Sequence, residues 1–318
     1  METRRIGKLE VSVIGLGCNN FGWRIDEQAT RVVVDAAISA GINFFDTADI
    51  YGDTKSEQFL GGALAGRRNS VVIATKFGKP VDAAHTGARP EYVIAACDDS
   101  LRRLRTDYID LYQLHAPDAA VPIADTLGAL NDLVVAGKVL EIGCSNFSAA
   151  QIEEAAHASE RGTSERGMSA SETSAHFASV QNHYNMLKRD DEADALPECE
   201  RLGIAYLPYF PLESGLLTGK YRQGKTAPEG TRIADGGWLA EKFTEGNLER
   251  IERLIAFAEA NDHTLLELAV SWLLRYSAVA SVIAGATSAQ QVHDNARSPN
   301  WELTESEIDA VDQILNRA

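Results

Sequence analysis

Asp46, Tyr51, Lys76 and His115 each fall at or just beyond the end of a short apolar run, where a strand gives way to a loop. Asp46 follows Ile42–Phe45 and Tyr51 lies five residues further on; Lys76 follows Val71–Ala74; His115 follows Ile109–Leu114. Singly, each has an ordinary use as a turn residue, a half-buried ring, a solvated charge or a backbone partner. Together they form a proton-handling set. A phenol titrates near pH 10, and burial pushes it higher. A lysine ammonium about 4 Å away favours the phenolate by up to roughly 4 kcal/mol at an effective dielectric near 20. At about 1.36 kcal/mol per pH unit, that can cancel a burial shift and more. An aspartate beside the lysine keeps it charged, and a neutral histidine can orient a carbonyl oxygen against the tyrosine. Such a set suits reduction of a carbonyl group, with hydride arriving at carbon and a proton at oxygen. No side chain supplies hydride, so a cofactor is required.

Eight apolar runs must hold these groups: Val13–Leu16, Ile42–Phe45, Val71–Ala74, Ile109–Leu114, Val139–Ile142, Ala178–Val180, Ile204–Leu207 and Ser281–Ala284. They lack in-and-out alternation, as strands covered on both faces should. Amphipathic segments lie between them: Asp26–Ala40, Pro90–Leu104, Pro122–Ala136 and Glu192–Leu202. Gly41, Gly137 and Gly203 occupy helix-stop positions, and Pro90 and Pro122 open helices near the first turn. The pattern predicts an α/β fold, a (β/α)8 TIM barrel forming one domain over residues 1–318, with an N-terminal β-hairpin cap and a C-terminal helix. In that helix Thr304 is the N-cap and Glu307 completes a capping box. A doubly wound sheet is the rival. Its dinucleotide fingerprint fails here, because Gly15-x-Gly17 is followed by Asn20 where the third glycine belongs. Ser159–Ser174 reads as an elongated, mobile connection. Pro211–Trp238 reads as a lid or binding loop, followed by helices over Leu248–Ala260 and Thr264–Tyr276. The remaining strand ends carry Ser145 and Asn146, Gln181 and Asn182, Tyr209 and Gly285.

The chain of 318 residues has a formal charge of −16, which argues against a nucleic-acid or anionic-membrane partner. No apolar run reaches the roughly 18 residues of a membrane span. The opening METRRIGKLE has no apolar signal core, and four scattered cysteines without a C-x-x-C pair fit a reduced, cytoplasmic protein. The seven histidines show no H-x-H or H-E-x-x-H pattern, so no metal is indicated.

Over nearly its whole length the sequence resembles the aldo-keto reductase superfamily. The resemblance is carried by GLGCNNFG, GINFFDTADIYG, SEQFLG, VVIATKFG, LRRLRTDYIDLYQLH, GKVLEIGCSNFS, VQNHYN, PYFPLESGLLTGKY and VIAGATSAQQVHDN. It implies a nicotinamide-dependent carbonyl reductase on a (β/α)8 barrel, with Asp46, Tyr51, Lys76 and His115 as catalytic tetrad. It further implies that Ser145, Asn146 and Gln181 hold the carboxamide and that Tyr209 stacks on the nicotinamide. Cys18 and Asn19 join the cofactor site. Pro211, Leu212, Ser214, Gly215, Leu217 and Lys220 would wrap the pyrophosphate, and Gly285, Thr287, Gln291, Asp294 and Asn295 the adenosine.

Many NADPH-using members carry Lys-Ser…Arg after the last strand, where this chain has Gly285, Ala286 and Gln291. The pattern is similar to the potassium-channel β-subunit-like branch, which uses NADPH; NADP(H) is therefore expected over NAD(H), with Arg232 supplying a cation. That branch implies an alternative, a redox-sensing regulatory subunit with little turnover. His115, where channel subunits have Asn, and the lack of an N-terminal arm before the barrel favour the enzyme. A metal-dependent barrel hydrolase would need histidines where Cys18 and Asn19 stand. Trp23, Phe77 and Trp238 are expected to line the pocket mouth with Tyr51 and His115, which suits a small aldehyde or ketone.

Overall fold

In the computed structural model, which describes residues 1–165, 175–236 and 240–316, all eight apolar runs become strands. An antiparallel hairpin comes first, β1 (Thr3–Ile6) with β2 (Leu9–Ser12). The parallel strands are β3 (Ile14–Gly17), β4 (Phe44–Asp46), β5 (Val72–Phe77), β6 (Ile109–Leu114), β7 (Val139–Ser145), β8 (Phe177–His183), β9 (Ala205–Tyr209) and β10 (Val282–Gly285). They close into a barrel in chain order, with β10 pairing both β9 and β3. Several strands outrun their apolar runs at the C-terminal end: β5 reaches Phe77, β7 Ser145 and β8 His183. The ladder continues there while the inward side chains turn polar, so hydropathy alone stops short of the true strand end.

Helices cover the barrel: α1 (Glu27–Ser39), α2 (Lys55–Ala63), α3 (Pro90–Leu104), α4 (Ile123–Val135), α5 (Ala149–Glu165), α6 (Ala195–Leu202), α7 (Glu245–Ala260), α8 (Leu265–Leu274), α9 (Ala289–Arg297) and α10 (Glu305–Asn316). Their ends follow local chemistry. Asp26 caps α1 by accepting from the Ala29 N–H. Thr264 and Glu267 form a reciprocal capping box on α8, and Thr304 and Glu307 exchange the same bonds at α10.

Two expectations change. Ser159–Ser174 is not one loop: α5 continues through Glu165, and Ser159 bonds back to the Ala155 carbonyl at 3.1 Å as a helical serine can. The rest of that segment lies outside the described residues. Glu192–Leu202 divides into a 3₁₀ turn at Asp190–Ala193 and α6, because Asp194 (φ −132°, ψ −99°) breaks the helical path.

Two apolar layers make the core. The outer one lies between strands and helices. The inner one fills the barrel with Phe44, Ala74, Leu111, Ala178, Leu207 and Ile283, and Ile6, Leu9 and Val11 of the hairpin plug its floor. Strand alternation then sets the next layer up. Asp46, Lys76 and Gln113 follow Phe44, Ala74 and Leu111 by two residues each, so they face inward just above the apolar fill.

Candidate active site

The polar layer is tied together at its centre. Lys76 Nζ donates to Asp46 Oδ1 at 2.5 Å and to the Thr47 carbonyl at 2.8 Å. Asp46 Oδ2 accepts from Gln181 Nε2 at 2.8 Å and Gln113 Nε2 at 3.2 Å. Burial works against the Lys76 ammonium, but Asp46 and Tyr51 outweigh it and hold its pKa above the ordinary lysine value.

Tyr51 stands over this pair, with Lys76 Nζ 5.1 Å from its ring centroid. Burial raises the phenol pKa, Lys76 pulls it back and Asp46 adds to the rise; the net position stays above the free value. The ammonium therefore does not cancel burial, contrary to expectation: Tyr51 rests as the protonated phenol, and Lys76 moderates its cost of ionising. The chain after Tyr51 turns sharply through three left-handed residues, Gly52 (φ 58°), Asp53 and Thr54, into α2. At Gly52 a Cβ would sit 2.3 Å from the Phe21 carbonyl oxygen, so only glycine fits. His115 meets the Tyr51 ring edge-on at 5.7 Å. Burial, with the charges of Lys76 and Lys79, depresses its pKa to about 2, so the imidazole is neutral.

Two adjoining cavities open at this end of the barrel. One of about 250 Å³ is lined by Cys18, Asn19, Asp46, Tyr51, Lys79, His115, Ser145, Asn146, Gln181 and Tyr209. The other, about 500 Å³, is lined by Pro211, Leu212, Ser214, Gly215, Lys220, Arg232, Thr287, Gln291, Asp294 and Asn295. Phe210 and Gly285 belong to both walls. Tyr209 is fixed as a platform: its hydroxyl donates to Asn146 Oδ1 at 2.8 Å, and His183 stacks on it at 5.3 Å. Asn146, itself left-handed (φ 63°), donates to the His115 carbonyl at 2.8 Å and to Ser145 Oγ at 3.0 Å. Beneath, Glu213 accepts from Asn185 Nδ2 at 2.7 Å and meets His183 Nε2 at 3.1 Å, so the loop after β9 is fastened to the platform.

The larger cavity is unbalanced in charge. Arg232 donates to Asn20 Oδ1 at 2.7 Å and Asn19 Oδ1 at 3.2 Å, and among the described residues it meets no carboxylate. Lys220 has no ion pair among the described residues either. Burial lowers the pKa of both, and Arg24 presses on both. Arg24 alone is compensated, by Asp235 at 2.6 Å. Two uncompensated cations beside a glycine-opened loop fit an anionic dinucleotide; a Cβ on Gly215 (φ 97°) would sit 2.7 Å from Lys220 Nζ.

Most of the residues singled out from the sequence reach these walls; Lys76 lies beneath them, fully buried, and Phe77, Leu217 and Trp23 stand elsewhere. Phe77 is fully buried and stacks on Tyr112 at 4.7 Å on the outer face, because alternation from inward Lys76 turns it away. Leu217 is buried under its loop rather than on the wall. Trp23 is 58% exposed on the rim, outside both walls, with Arg24 and Arg232 at 5.6 and 5.8 Å from its ring. Trp238 lies outside the described residues. Sequence reasoning missed Lys79, Gln113, Asn20, His183 and Glu213. Position two beyond inward Leu111 was the available signal for Gln113.

A closed parallel barrel with Tyr51 set over the buried Lys76–Asp46 pair at its mouth, beside a cationic dinucleotide-sized cleft, defines a barrel oxidoreductase. The model of the aldo/keto reductase family matches residues 13–316, and the chain belongs to that family, whose members use nicotinamide cofactors. It is 33% identical to a probable aldo-keto reductase 1 of Glycine max over 94% of this chain and 84% of that protein. It is 31% identical to a probable voltage-gated potassium channel subunit beta of Arabidopsis thaliana (99% and 97% covered) and 32% identical to the protein tas of Escherichia coli (99% and 98%). Among solved structures, a glycerol dehydrogenase from Gluconobacter oxydans superposes with a TM-score of 0.81 at 31% identity, covering 98% of this chain and 94% of that one. No helix among the described residues is long and apolar enough to cross a membrane.

Proposed function

We propose that this protein is an NADPH-dependent reductase of small aldehydes or ketones, working in the cytoplasm on a free small molecule. The observation that carries the reading is the Tyr51 phenol, poised over the buried Lys76–Asp46 pair at the wall of a cavity that adjoins the cationic cleft. A nicotinamide held between Tyr209 and the Ser145, Asn146 and Gln181 side chains would supply hydride to the carbonyl carbon. Tyr51 gives its proton to the oxygen, and the phenolate left behind is stabilised by Lys76. Asp46 keeps Lys76 charged throughout. Neutral His115 orients the carbonyl, and a proton from solvent restores Tyr51 as the alcohol leaves. Tyr209 is the platform for the ring, with Ser145, Asn146 and Gln181 beside it; Gln181 has its amide nitrogen engaged by Asp46, leaving its carbonyl oxygen for the cofactor.

Arg232 and Lys220, uncompensated as they stand, support NADPH over NADH. The alternative, a regulatory subunit that binds NADPH with little turnover, draws on the channel-subunit relative; neutral His115 beside Tyr51 supports turnover instead. A screen of carbonyl compounds with both cofactors separates the two. Oxidation of NADPH by at least one aldehyde, with tighter binding of NADPH than NADH and a smaller gap in Arg232→Ala, is the expected result. Binding without oxidation across the panel would favour the regulatory reading, and equal dissociation constants would remove the NADPH preference.

A further inference from the structure

Lys79 is the one cation on the wall of the 250 Å³ cavity with no visible reason to be there. It lies three residues beyond Lys76, half-buried beside Tyr51 and His115. Among the described residues it makes no hydrogen bond and no ion pair. Two carboxylates of neighbouring loops, Asp82 and Asp118, are engaged elsewhere, and Asp49, whose pKa is raised to about 7, is buried with no hydrogen bond to Lys79. Asp82 accepts from His85 and from the Ala84 and His85 amides, and Asp118 accepts from the Ala88 and Ala120 amides. Asp46 faces the same cavity, but its charge is matched by Lys76 at 2.5 Å. Lys79 is thus the uncompensated charge of this cavity. Burial and the charge of Lys76 lower its pKa, and its own charge presses on His115. A half-buried ammonium without a partner is costly unless something supplies the counter-charge. The anionic groups of a dinucleotide belong with Arg232 and Lys220 in the neighbouring cleft, which leaves Lys79 to the other ligand.

We propose that Lys79 selects the substrate: the cavity takes a short carbonyl compound bearing a carboxylate, which pairs with the Lys79 ammonium while the carbonyl oxygen lies between Tyr51 and His115. The size of the cavity, shared with a nicotinamide ring, limits this compound to a few carbons. The inference rests on the reductase reading of the same site, and two measurements keep their outcomes apart.

The first compares 4-oxobutanoate with butanal, which differ only in the terminal group. The wild type should favour the anion in kcat/KM by roughly tenfold or more, the worth of one charge-assisted bond. Lys79→Met should remove that preference, Lys79→Glu should invert it, and Lys79→Arg should restore it. Because the Lys79 charge also acts on His115, the readout is the ratio of anion to butanal kcat/KM within each protein, and butanal should change less than the anion in every variant. The second titrates butanoate against butanamide on NADPH-loaded protein by cofactor fluorescence. Butanoate should bind more tightly, and Lys79→Met should abolish the difference. An anion-to-neutral ratio unchanged by Lys79→Met in both measurements overturns the inference while leaving the reductase reading intact. Reduction of neither aldehyde, with Lys79-dependent butanoate binding, keeps the anion site and sinks the reductase reading.

Discussion

Burial pulls on the ionisable residues of the mouth in opposite senses, and two of them have measurable consequences. The His115 imidazole titrates near pH 6.5 when unfolded and at about 2 in the folded protein. Between those values the unfolded chain takes up a proton that the native state refuses, so stability falls as pH drops below 6.5. The loss reaches about 3 kcal/mol by pH 4. Urea denaturation at pH 7 and pH 4 should show His115→Asn losing less stability on acidification than the wild type; equal losses would contradict a buried neutral imidazole. Asp49 works the other way. Both its carboxylate oxygens are buried without a hydrogen-bond partner, and burial with nearby Glu57 raises its pKa from 3.8 to about 7. The folded protein keeps a proton there that the unfolded chain gives up, so stability falls as pH rises from 4 to 7. Asn at this position avoids that cost, and Asp49→Asn should gain up to about 4 kcal/mol at pH 8 and almost nothing at pH 4; the same urea series checks it. The residue types of the site were legible because strand ends in a barrel converge. The balance between burial and Lys76 at Tyr51 was not, since it depends on depth. Phe77 misled because reading stopped at Lys76 instead of carrying the in-and-out alternation one residue further.

The element that most needs its three-dimensional context is the loop after β9. Its length and glycines marked it as a binding loop, yet nothing in the sequence shows that it folds back as 3₁₀ turns with Phe210, Glu213, Ser214 and Gly215 all at positive φ. Three of these four are not glycine, so the backbone is held against its preference. The holding contact is Glu213, bound to Asn185 and facing His183, which in turn stacks on Tyr209. Loop and platform are therefore one unit. Glu213→Gln keeps the shape and removes the charge; it should weaken NADPH binding by roughly five- to thirtyfold, or 1–2 kcal/mol, while leaving kcat at saturating cofactor close to wild type. Fluorescence titration and steady-state kinetics on the same samples measure both. Helix limits were read well wherever a cap chemistry marks them, as at Pro90, Thr264 and Thr304. The extension of α5 past Ser159 was hidden by a serine- and glycine-rich composition that helices usually avoid.

At the scale of the molecule, the barrel is a stack: hairpin plug, apolar fill, polar layer, open mouth. The plug is structural, and Arg4 ties it to the chain leading into β10 by donating to the carbonyls of Leu274, Tyr276 and Val279. Ile6 is fully buried against the inner fill. Ile6→Ala should cost about 2–5 kcal/mol and lower the melting temperature without changing KM for either ligand, because it lies at the opposite end from the mouth. The whole-chain pattern of eight alternating units was the most legible feature of the sequence, since closure of a parallel barrel needs all eight. Everything in the stack serves to present one protonated phenol above one paired lysine. The direct test is NADPH oxidation by wild type and Tyr51→Phe with a reducible aldehyde, with the NADPH dissociation constant measured on both. Tyr51→Phe should lose about 100-fold or more in kcat while binding NADPH as tightly as the wild type; turnover equal to that of the wild type would contradict the assignment of Tyr51 as proton donor.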